Sequence, residues 1–198
     1  MKLTTLPAAF TLALLLLVWG CAGARPVADP LTPREHVTLG ELYAAQGHPE
    51  LAANEFEAAL RREGEFPPAW VGLGNLAFQA GELETAERNY RRALRAAPEH
   101  SGAANNLAML YLLGGKRLDE AERLARGALE RSGILKPYVL ETLASVYVRQ
   151  GRYPEAAAAV EEAERLVAPD SPVLQERLAQ LRRELHALSP GTDRAARI

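Results

Sequence analysis

Residue types that commonly build catalytic or metal sites are scarce in this sequence. Among its 198 residues there are one cysteine, two methionines, two tryptophans and four histidines, and the aromatic residues together make up only 6%. A single thiol cannot build a disulfide framework, and the other candidates supply too few ligands for a zinc site. The formal net charge of -2 provides no basic surface for nucleic acid. These shortages argue against a disulfide scaffold, a metal centre and a nucleic-acid partner.

Recognisable catalytic motifs are lacking as well. The sequence has no G-x-S-x-G nucleophile elbow and no phosphate-binding glycine loop after a predicted strand. The glycines of 72–74 lie inside a predicted helix, where they serve helix packing. The acidic runs 119–122 and 161–164 are interleaved with arginines at helical spacing, which is typical of solvated faces. No two histidines stand three or four residues apart as paired metal ligands on one helix face do; they are His36, His48, His100 and His186. We therefore expect that the protein is not an enzyme and that it binds neither a metal ion nor a cofactor.

The N-terminus has the composition of an export signal. Lys2 is followed by a run from Ala8 to Trp19 that is apolar apart from Thr11. This run is shorter than the roughly 20 apolar residues that a comfortable membrane span requires. A charged start, a short apolar middle and a small residue at the end are the features of a secretory signal peptide. The segment Val18–Trp19–Gly20–Cys21 resembles the lipobox of bacterial lipoproteins, although Trp19 is an unusual occupant of its position.

That resemblance implies a signal peptide over residues 1–20 and acylation of Cys21, palmitate included, as the new N-terminus. Because several acyl chains hold a protein firmly in a bilayer, Cys21 would be a lipid anchor. Ala22, in place of aspartate, implies sorting to the periplasmic face of the outer membrane. Residues 21–32 would form the lipidated cysteine and a tether. An ordinary signal peptide with Cys21 nearby by chance, or an uncleaved anchor, are the alternatives.

A period of about thirty-four residues runs through the rest of the chain. Leu39, Leu73, Leu107 and Leu143 are separated by 34, 34 and 36 residues, and a parallel series of alanines begins at Ala52. A fixed period of this length is the sequence signature of a helical repeat array. The second repeat is the clearest, and it contains Trp70, Leu73-Gly74, Ala86, Tyr90, Ala93 and Pro98.

These residues resemble the tetratricopeptide repeat (TPR) motif. The resemblance implies an all-α, right-handed solenoid of four helix-turn-helix repeats, over residues 33–66, 67–100, 101–136 and 137–170. A capping helix over 171–188 and a flexible tail over 189–198 would follow. An ordinary antiparallel helix bundle is the alternative, but it does not require the same residue types at a fixed offset four times.

Local signals agree with this division. Thr32 to Glu35 reads as a capping box with proline at the first helical position, and Ser171-Pro172 repeats the Ser-Pro start. Leucines from Leu174 to Leu188 form an apolar stripe on the last helix. Gly47, Gly81 and Gly151 fall where the first helix of a pair must end and turn. The third repeat has Gly114-Gly115 and one extra residue there, so we expect a longer and looser turn.

In the TPR family the first helix of each pair lines a concave groove that holds an extended peptide or a partner helix. Asparagine side chains both donate and accept hydrogen bonds, which suits a peptide backbone, and aromatic or methionine side chains suit apolar pockets. By position in the motif, the candidate groove residues are Asn75, Phe78, Gln79, Asn105, Asn106, Met109, Tyr138, Glu141 and Arg149. Val71, Tyr138 and Thr142 stand where a carboxylate clamp needs cations or their equivalents, so we reject such a clamp.

The combined expectation is a membrane-anchored scaffold or adaptor of the bacterial envelope that binds another envelope protein. Assembly of an envelope machine, in the manner of pilotin-like lipoproteins, is the leading interpretation. Recruitment of cell-wall hydrolases, or an accessory role in polysaccharide or protein export, are the alternatives. Self-association through the capping helix or the groove also stays open, and the sequence does not identify the partner.

Overall fold

The computed structural model of the protein describes residues 29–115 and 117–188. The chain divides into two units, Met1–Leu31 and Thr32–Ile198, and every helix described below belongs to the second. The predicted signal peptide, Cys21, most of the tether and the C-terminal tail lie outside the described residues. No helix in the described ranges is long and apolar enough to cross a bilayer.

The described part of the second unit is built from helices. Five of the repeat helices have proline in their first turn, where the missing N–H costs no hydrogen bond. In chain order the helices are α1 (Pro33–Ala45), α2 (Pro49–Arg62), α3 (Pro67–Gln79), α4 (Leu83–Ala96), α5 (Ser101–Leu113), α6 (Leu118–Leu129), α7 (Lys136–Arg149), α8 (Tyr153–Leu166) and α9 (Pro172–Leu188), with a 3-10 turn at Gly133–Leu135 before α7.

The helices form the four predicted pairs, α1 with α2, α3 with α4, α5 with α6 and α7 with α8. The first helices also pack on one another, α1 on α3 and α5 on α7, and α9 packs against both α7 and α8. Each repeat therefore contacts its neighbours in sequence, which is the organisation of a solenoid. The predicted all-α solenoid of four repeats with a capping helix is confirmed.

The turns inside the pairs follow the glycine pattern. Gly47, Gly81 and Gly151 have φ angles of 78, 78 and 73°, a left-handed conformation that glycine adopts without a steric penalty. The third turn has one more residue than the other three, and it contains Gly115 at φ 61° and Arg117 at φ 56°. The extra length that the sequence predicts for this turn is confirmed.

Large aromatic rings fill spaces that glycines leave between the helices. A Cβ atom added at Gly40 or Gly72 would lie 2.7 or 2.5 Å from the Phe56 ring, closer than any real contact. A Cβ atom at Gly74 would lie 2.5 Å from the Tyr90 ring. The predicted packing role of these glycines is confirmed, because only a residue without a side chain lets the ring of the second helix reach the first.

The capping box and the capping helix form as the sequence indicates. The backbone N–H of Glu35 donates to Thr32 Oγ1 at 3.3 Å, and the backbone N–H of Thr32 donates to Glu35 Oε2 at 2.7 Å. On α9, Leu174, Leu178 and Leu185 are buried. This helix therefore covers an apolar face that the fourth repeat would otherwise expose.

An arginine in the third turn connects the second repeat to the third. Arg117 lies over the Tyr111 ring, 5.1 Å from its centroid, and its Nη1 atom donates to Glu87 Oε1 on α4 at 2.8 Å. The Tyr111 hydroxyl donates to the same Glu87 oxygen at 3.0 Å. Burial acts to raise the pKa of Glu87, but the hydrogen bonds from Arg117 and Tyr111 hold it below its usual value.

The same arrangement recurs between the third and fourth repeats. Arg152 lies 4.4 Å from the Tyr147 ring centroid, and its Nη1 atom donates to Glu122 Oε2 on α6 at 2.8 Å. Gln150 donates to the same carboxylate oxygen at 3.2 Å. Burial acts to raise the pKa of Glu122. The hydrogen bonds from Arg152 and Gln150 have the larger combined effect, so the pKa lies below its usual value. We call the two arrangements the Tyr-Arg-Glu ladder. The sequence pattern alone does not predict it.

Candidate functional site

The first helices of the repeats form a concave groove that contains two clefts. The N-terminal cleft lies between α1 and α3, is also lined by Phe56 of α2 and by His100 just before α5, and has a volume of about 320 Å³. The C-terminal cleft lies between α5, α7 and α9 and has a volume of about 220 Å³. Both volumes are at or below the lower end of the range for small-molecule sites, so they suit individual side chains of a larger partner.

The N-terminal cleft has an apolar floor. Because Gly72 has no side chain, the Phe56 ring of α2 reaches between the first helices and lines the groove. Val71 and Ala44 add to the apolar wall, and Glu41 stands exposed at the rim. Of the predicted groove residues, Asn75 and Gln79 line this cleft.

The C-terminal cleft combines apolar walls with a paired charge. The carboxylate of Glu141, which is 7% exposed, forms an ion pair with the Arg177 guanidinium of α9. A buried carboxylate would be costly without such a partner, and the pair leaves this part of the cleft electrically neutral. The residues that line the cleft are Gly102, Asn105, Asn106, Met109, Leu135, Tyr138, Glu141, Thr142 and Arg177.

A hydrogen-bonded pair of asparagines joins α3 to α5 between the two clefts. Asn106 Nδ2 donates to Asn75 Oδ1 at 2.8 Å, and the Tyr90 hydroxyl donates to the same oxygen at 2.9 Å. Burial raises the pKa of Tyr90 to about 12, against a smaller opposing effect of Asn106. The carbonyl oxygen of Asn75 therefore already accepts two internal hydrogen bonds and stabilises the groove itself.

Asn105 differs from the other two asparagines. Its Oδ1 atom is buried and has no hydrogen-bond partner among the described residues. An unsatisfied buried acceptor costs about 1–3 kcal/mol, so it is an uncommon feature in a folded protein. Because Asn105 lines the C-terminal cleft, a bound group with an N–H or O–H donor could satisfy this oxygen.

Two predicted groove residues do not line either cleft. Phe78 packs against the main hydrophobic core. Arg149 lies at the end of α7, where its Nη2 atom is 3.1 Å from the position of a Cβ atom at Gly115. Phe56 and Arg177 line the clefts although neither is among the predicted groove residues. Phe56 belongs to a second helix and Arg177 to the capping helix, so neither position is assigned to the groove by the repeat pattern.

The described residues include no group of three or more histidine, cysteine, aspartate or glutamate side chains that could hold a metal ion. What the geometry defines is an all-helical repeat protein with a concave groove, and such proteins bind other proteins. The sequence profile of the family described as "Tetratricopeptide repeat" matches residues 37–87, 71–133 and 141–188. The chain therefore belongs to the tetratricopeptide repeat family, whose members are generally non-enzymatic scaffolds.

Solved structures with the same fold share little sequence with the chain. The structure described as "Crystal structure of MamA" superposes on this chain with a TM-score of 0.58 at 20% sequence identity, and the match covers 77% of this chain and 84% of that chain. The structure described as "Functional Characterization of Pseudomonas Aeruginosa pilF" superposes with a TM-score of 0.61 at 19% identity, and the match covers 83% of this chain and 79% of that chain. The structure described as "Crystal structure of APC/C hetero-tetramer Cut9-Hcn1" superposes with a TM-score of 0.63 at 20% identity, and the match covers 76% of this chain and 30% of that chain. At these identities the likeness shows the fold alone. No curated protein matches the sequence.

Proposed function

We propose that the protein is a membrane-anchored scaffold or adaptor of the bacterial cell envelope, and that it holds a segment of another envelope protein in its concave groove. The observation that carries this proposal is the C-terminal cleft, where the buried Asn105 Oδ1 atom has no hydrogen-bond partner among the described residues. An asparagine side chain offers one acceptor and amide donors, which match the C=O and N–H groups of a peptide bond. Membership of the tetratricopeptide repeat family supports a protein as the partner.

The anchor part of the proposal rests on the sequence Val18–Trp19–Gly20–Cys21. Acylation of Cys21 would place the groove at the membrane surface, on the periplasmic face of the outer membrane if the cell has one. Metabolic labelling with an alkyne palmitate analogue tests it. We expect label on the wild-type chain and none on Cys21→Ser. Equal labelling of both chains, or none on the wild type, would contradict the anchor.

For the pathway, assembly of an envelope machine in the pilotin-like manner is the proposal, with recruitment of cell-wall hydrolases or an export accessory role as alternatives. The fold does not distinguish them, because groove geometry is shared across the family. In a deletion strain, loss of secretin multimers would support the pilotin-like role. Altered peptidoglycan cross-linking with normal secretin would support hydrolase recruitment instead.

In-cell photo-crosslinking tests the groove directly. A photoreactive residue is placed at Asn105 or Tyr138 in the C-terminal cleft and, as a matched control, at the exposed Asn54 of α2. We expect one defined envelope protein among the adducts from both cleft positions and not from Asn54. If the cleft positions give no specific adduct, or if Asn54 gives the same one, the groove is not the binding site.

A further inference from the structure

The groove has a specific layout, in which the hydrogen bond between Asn75 and Asn106 connects the two side-chain clefts. The N-terminal cleft lies mainly between α1 and α3, and the C-terminal cleft lies mainly between α5 and α7. The hydrogen bond between Asn75 and Asn106 joins α3 to α5, the two helices between these clefts. The two clefts are therefore two helix spacings apart. Packed helices lie about 8–10 Å from each other, so the cleft centres are about 18 Å apart. An extended chain advances about 3.3 Å per residue, and about five or six residues cover that distance.

The charges at the clefts restrict what each can accept. In the C-terminal cleft, Arg177 already neutralises Glu141, so neither a cation nor an anion gains a net attraction there. In the N-terminal cleft, Glu41 is exposed at the rim and forms no ion pair with any described residue. A cationic residue of a partner would therefore be more favourable beside the N-terminal cleft, near Glu41, than beside the C-terminal cleft, where the carboxylate is already paired.

The Asn105 Oδ1 atom favours a hydrogen-bond donor over a terminal carboxylate as the group beside it in the C-terminal cleft. This buried atom needs a donor, which a carboxylate does not have. A peptide bond inside a chain supplies both an N–H and a C=O, so an internal segment fits this position.

We infer that the groove recognises an internal, extended segment of a second protein that carries two apolar side chains five or six residues apart, with lysine or arginine beside the one that enters the N-terminal cleft. This inference rests on the proposed binding role of the groove and adds the pattern that the partner must have. The C-terminal cleft takes a neutral apolar side chain, and Asn105 binds the backbone next to it.

Synthetic peptides test the spacing. Fluorescein-labelled peptides on a serine-glutamine background carry two leucines separated by three to twelve residues, and their dissociation constants for the full chain are measured by fluorescence anisotropy. We expect the peptides with a separation of five or six to bind at least about tenfold more tightly than single-leucine peptides, because a second apolar side chain is buried. A flat profile would overturn the inference. Highest affinity at a separation of about twelve residues would also overturn it, because an α-helix of about twelve residues spans the same distance.

A cleft-filling variant and its control localise the effect. In Gly102→Leu the new Cβ atom lies 3.4 Å from the His100 ring, an ordinary contact, and the side chain enters the C-terminal cleft. Gly127→Leu on α6 meets open space and serves as the control. We expect Gly102→Leu to remove the advantage of the second leucine and Gly127→Leu to keep it. Concentration-dependent oligomers in the wild type that disappear in Gly102→Leu would show that a second copy fills the groove, against the inference.

The charge part of the inference has its own measurement. A lysine placed beside one leucine should tighten binding about two- to fivefold, and Glu41→Gln should remove that gain while Glu50→Gln on α2 should not. If peptides with lysine and peptides with glutamate beside the leucine bind with equal affinity, the role assigned to Glu41 is wrong.

The outcomes for the proposed function and for this inference can be told apart. A specific adduct from Asn105 in cells, together with equal affinity at every leucine separation, would support the proposed function and reject this inference. Absence of that adduct would reject the proposed function itself.

Discussion

At the scale of single residues, glycine positions determine where the aromatic rings of the second helices lie. Phe56 occupies the space that Gly40 and Gly72 leave, and its ring forms the floor of the N-terminal cleft. Tyr90 occupies the space beside Gly74 and directs its hydroxyl to Asn75. The same small residues therefore serve both the packing of each repeat and the shape of the groove.

This dual role predicts a large effect of one methyl group at Gly72. In Gly72→Ala the new Cβ atom would lie 2.5 Å from the Phe56 ring, so ring or helix must move. We expect the free energy of unfolding, measured by urea denaturation, to fall by about 1–3 kcal/mol. Gly127→Ala, in a helix with open space around it, should raise the free energy of unfolding by up to about 1 kcal/mol. Equal effects of the two substitutions would contradict the packing account.

At the scale of helices and turns, the Tyr-Arg-Glu ladder connects consecutive repeats. In each case an arginine from a turn covers a tyrosine of its own repeat and binds a glutamate on the second helix of the previous repeat. The carboxylates are partly buried, so these contacts are less screened than exposed ion pairs. The ladder therefore stabilises the packing of one repeat against the next.

The ladder should make stability depend on acid pH. Because the folded-state pKa of Glu122 is lowered, its contribution is present above the ordinary value of about 4.5 and is lost as the pH falls through the lower folded-state value. We expect Glu122→Gln to reduce the free energy of unfolding at pH 7 by about 1–2 kcal/mol. Urea denaturation at several pH values should show this difference shrinking below about pH 4.5.

The exposed pair of Glu57 and Arg61 gives the control for this prediction, since its two charges are 3.9 Å apart at the surface. Glu57→Gln should change the free energy of unfolding by less than about 0.5 kcal/mol at any pH. If Glu122→Gln behaves like Glu57→Gln, the ladder does not stabilise the contact between repeats.

At the scale of the whole molecule, stability is a sum of repeats and of the contacts between neighbours. The capping helix α9 has two roles in this arrangement. Its buried leucines cover the end of the apolar core, and Arg177 completes the C-terminal cleft by pairing with Glu141. Loss of the cap therefore affects the end of the solenoid and the binding groove together.

Leu178→Ala tests the local character of this coupling. Leu178 is fully buried, so the substitution should lower stability by about 2–5 kcal/mol. Hydrogen exchange should show the largest loss of amide protection in α7, α8 and α9 and a much smaller one in α1 and α2. Val173→Ala, at a position that is 73% exposed, is the control and should leave exchange unchanged. Uniform loss of protection along the chain would show that the solenoid unfolds as one unit.

The amino-acid sequence by itself determined the helices, their pairing and their ends. The repeated leucine and alanine positions, the left-handed glycines such as Gly81 and the capping box at Thr32 are local features, and they act over one or two turns of chain. For this reason the repeat fold, the longer third turn and the capping helix could all be predicted. Of the residues that line the clefts, the predicted groove set contains five in the C-terminal cleft and two in the N-terminal cleft.

Only the tertiary structure decided how the groove residues divide between architecture and recognition. Asn75 and Asn105 are equivalent candidates by sequence, yet Tyr90 and Asn106 saturate the first while the Oδ1 atom of the second stays without a partner. Arg177 enters the site from a helix outside the repeats. These outcomes depend on which side chains from distant parts of the chain compete for the same atom, and that competition is fixed only when the helices pack.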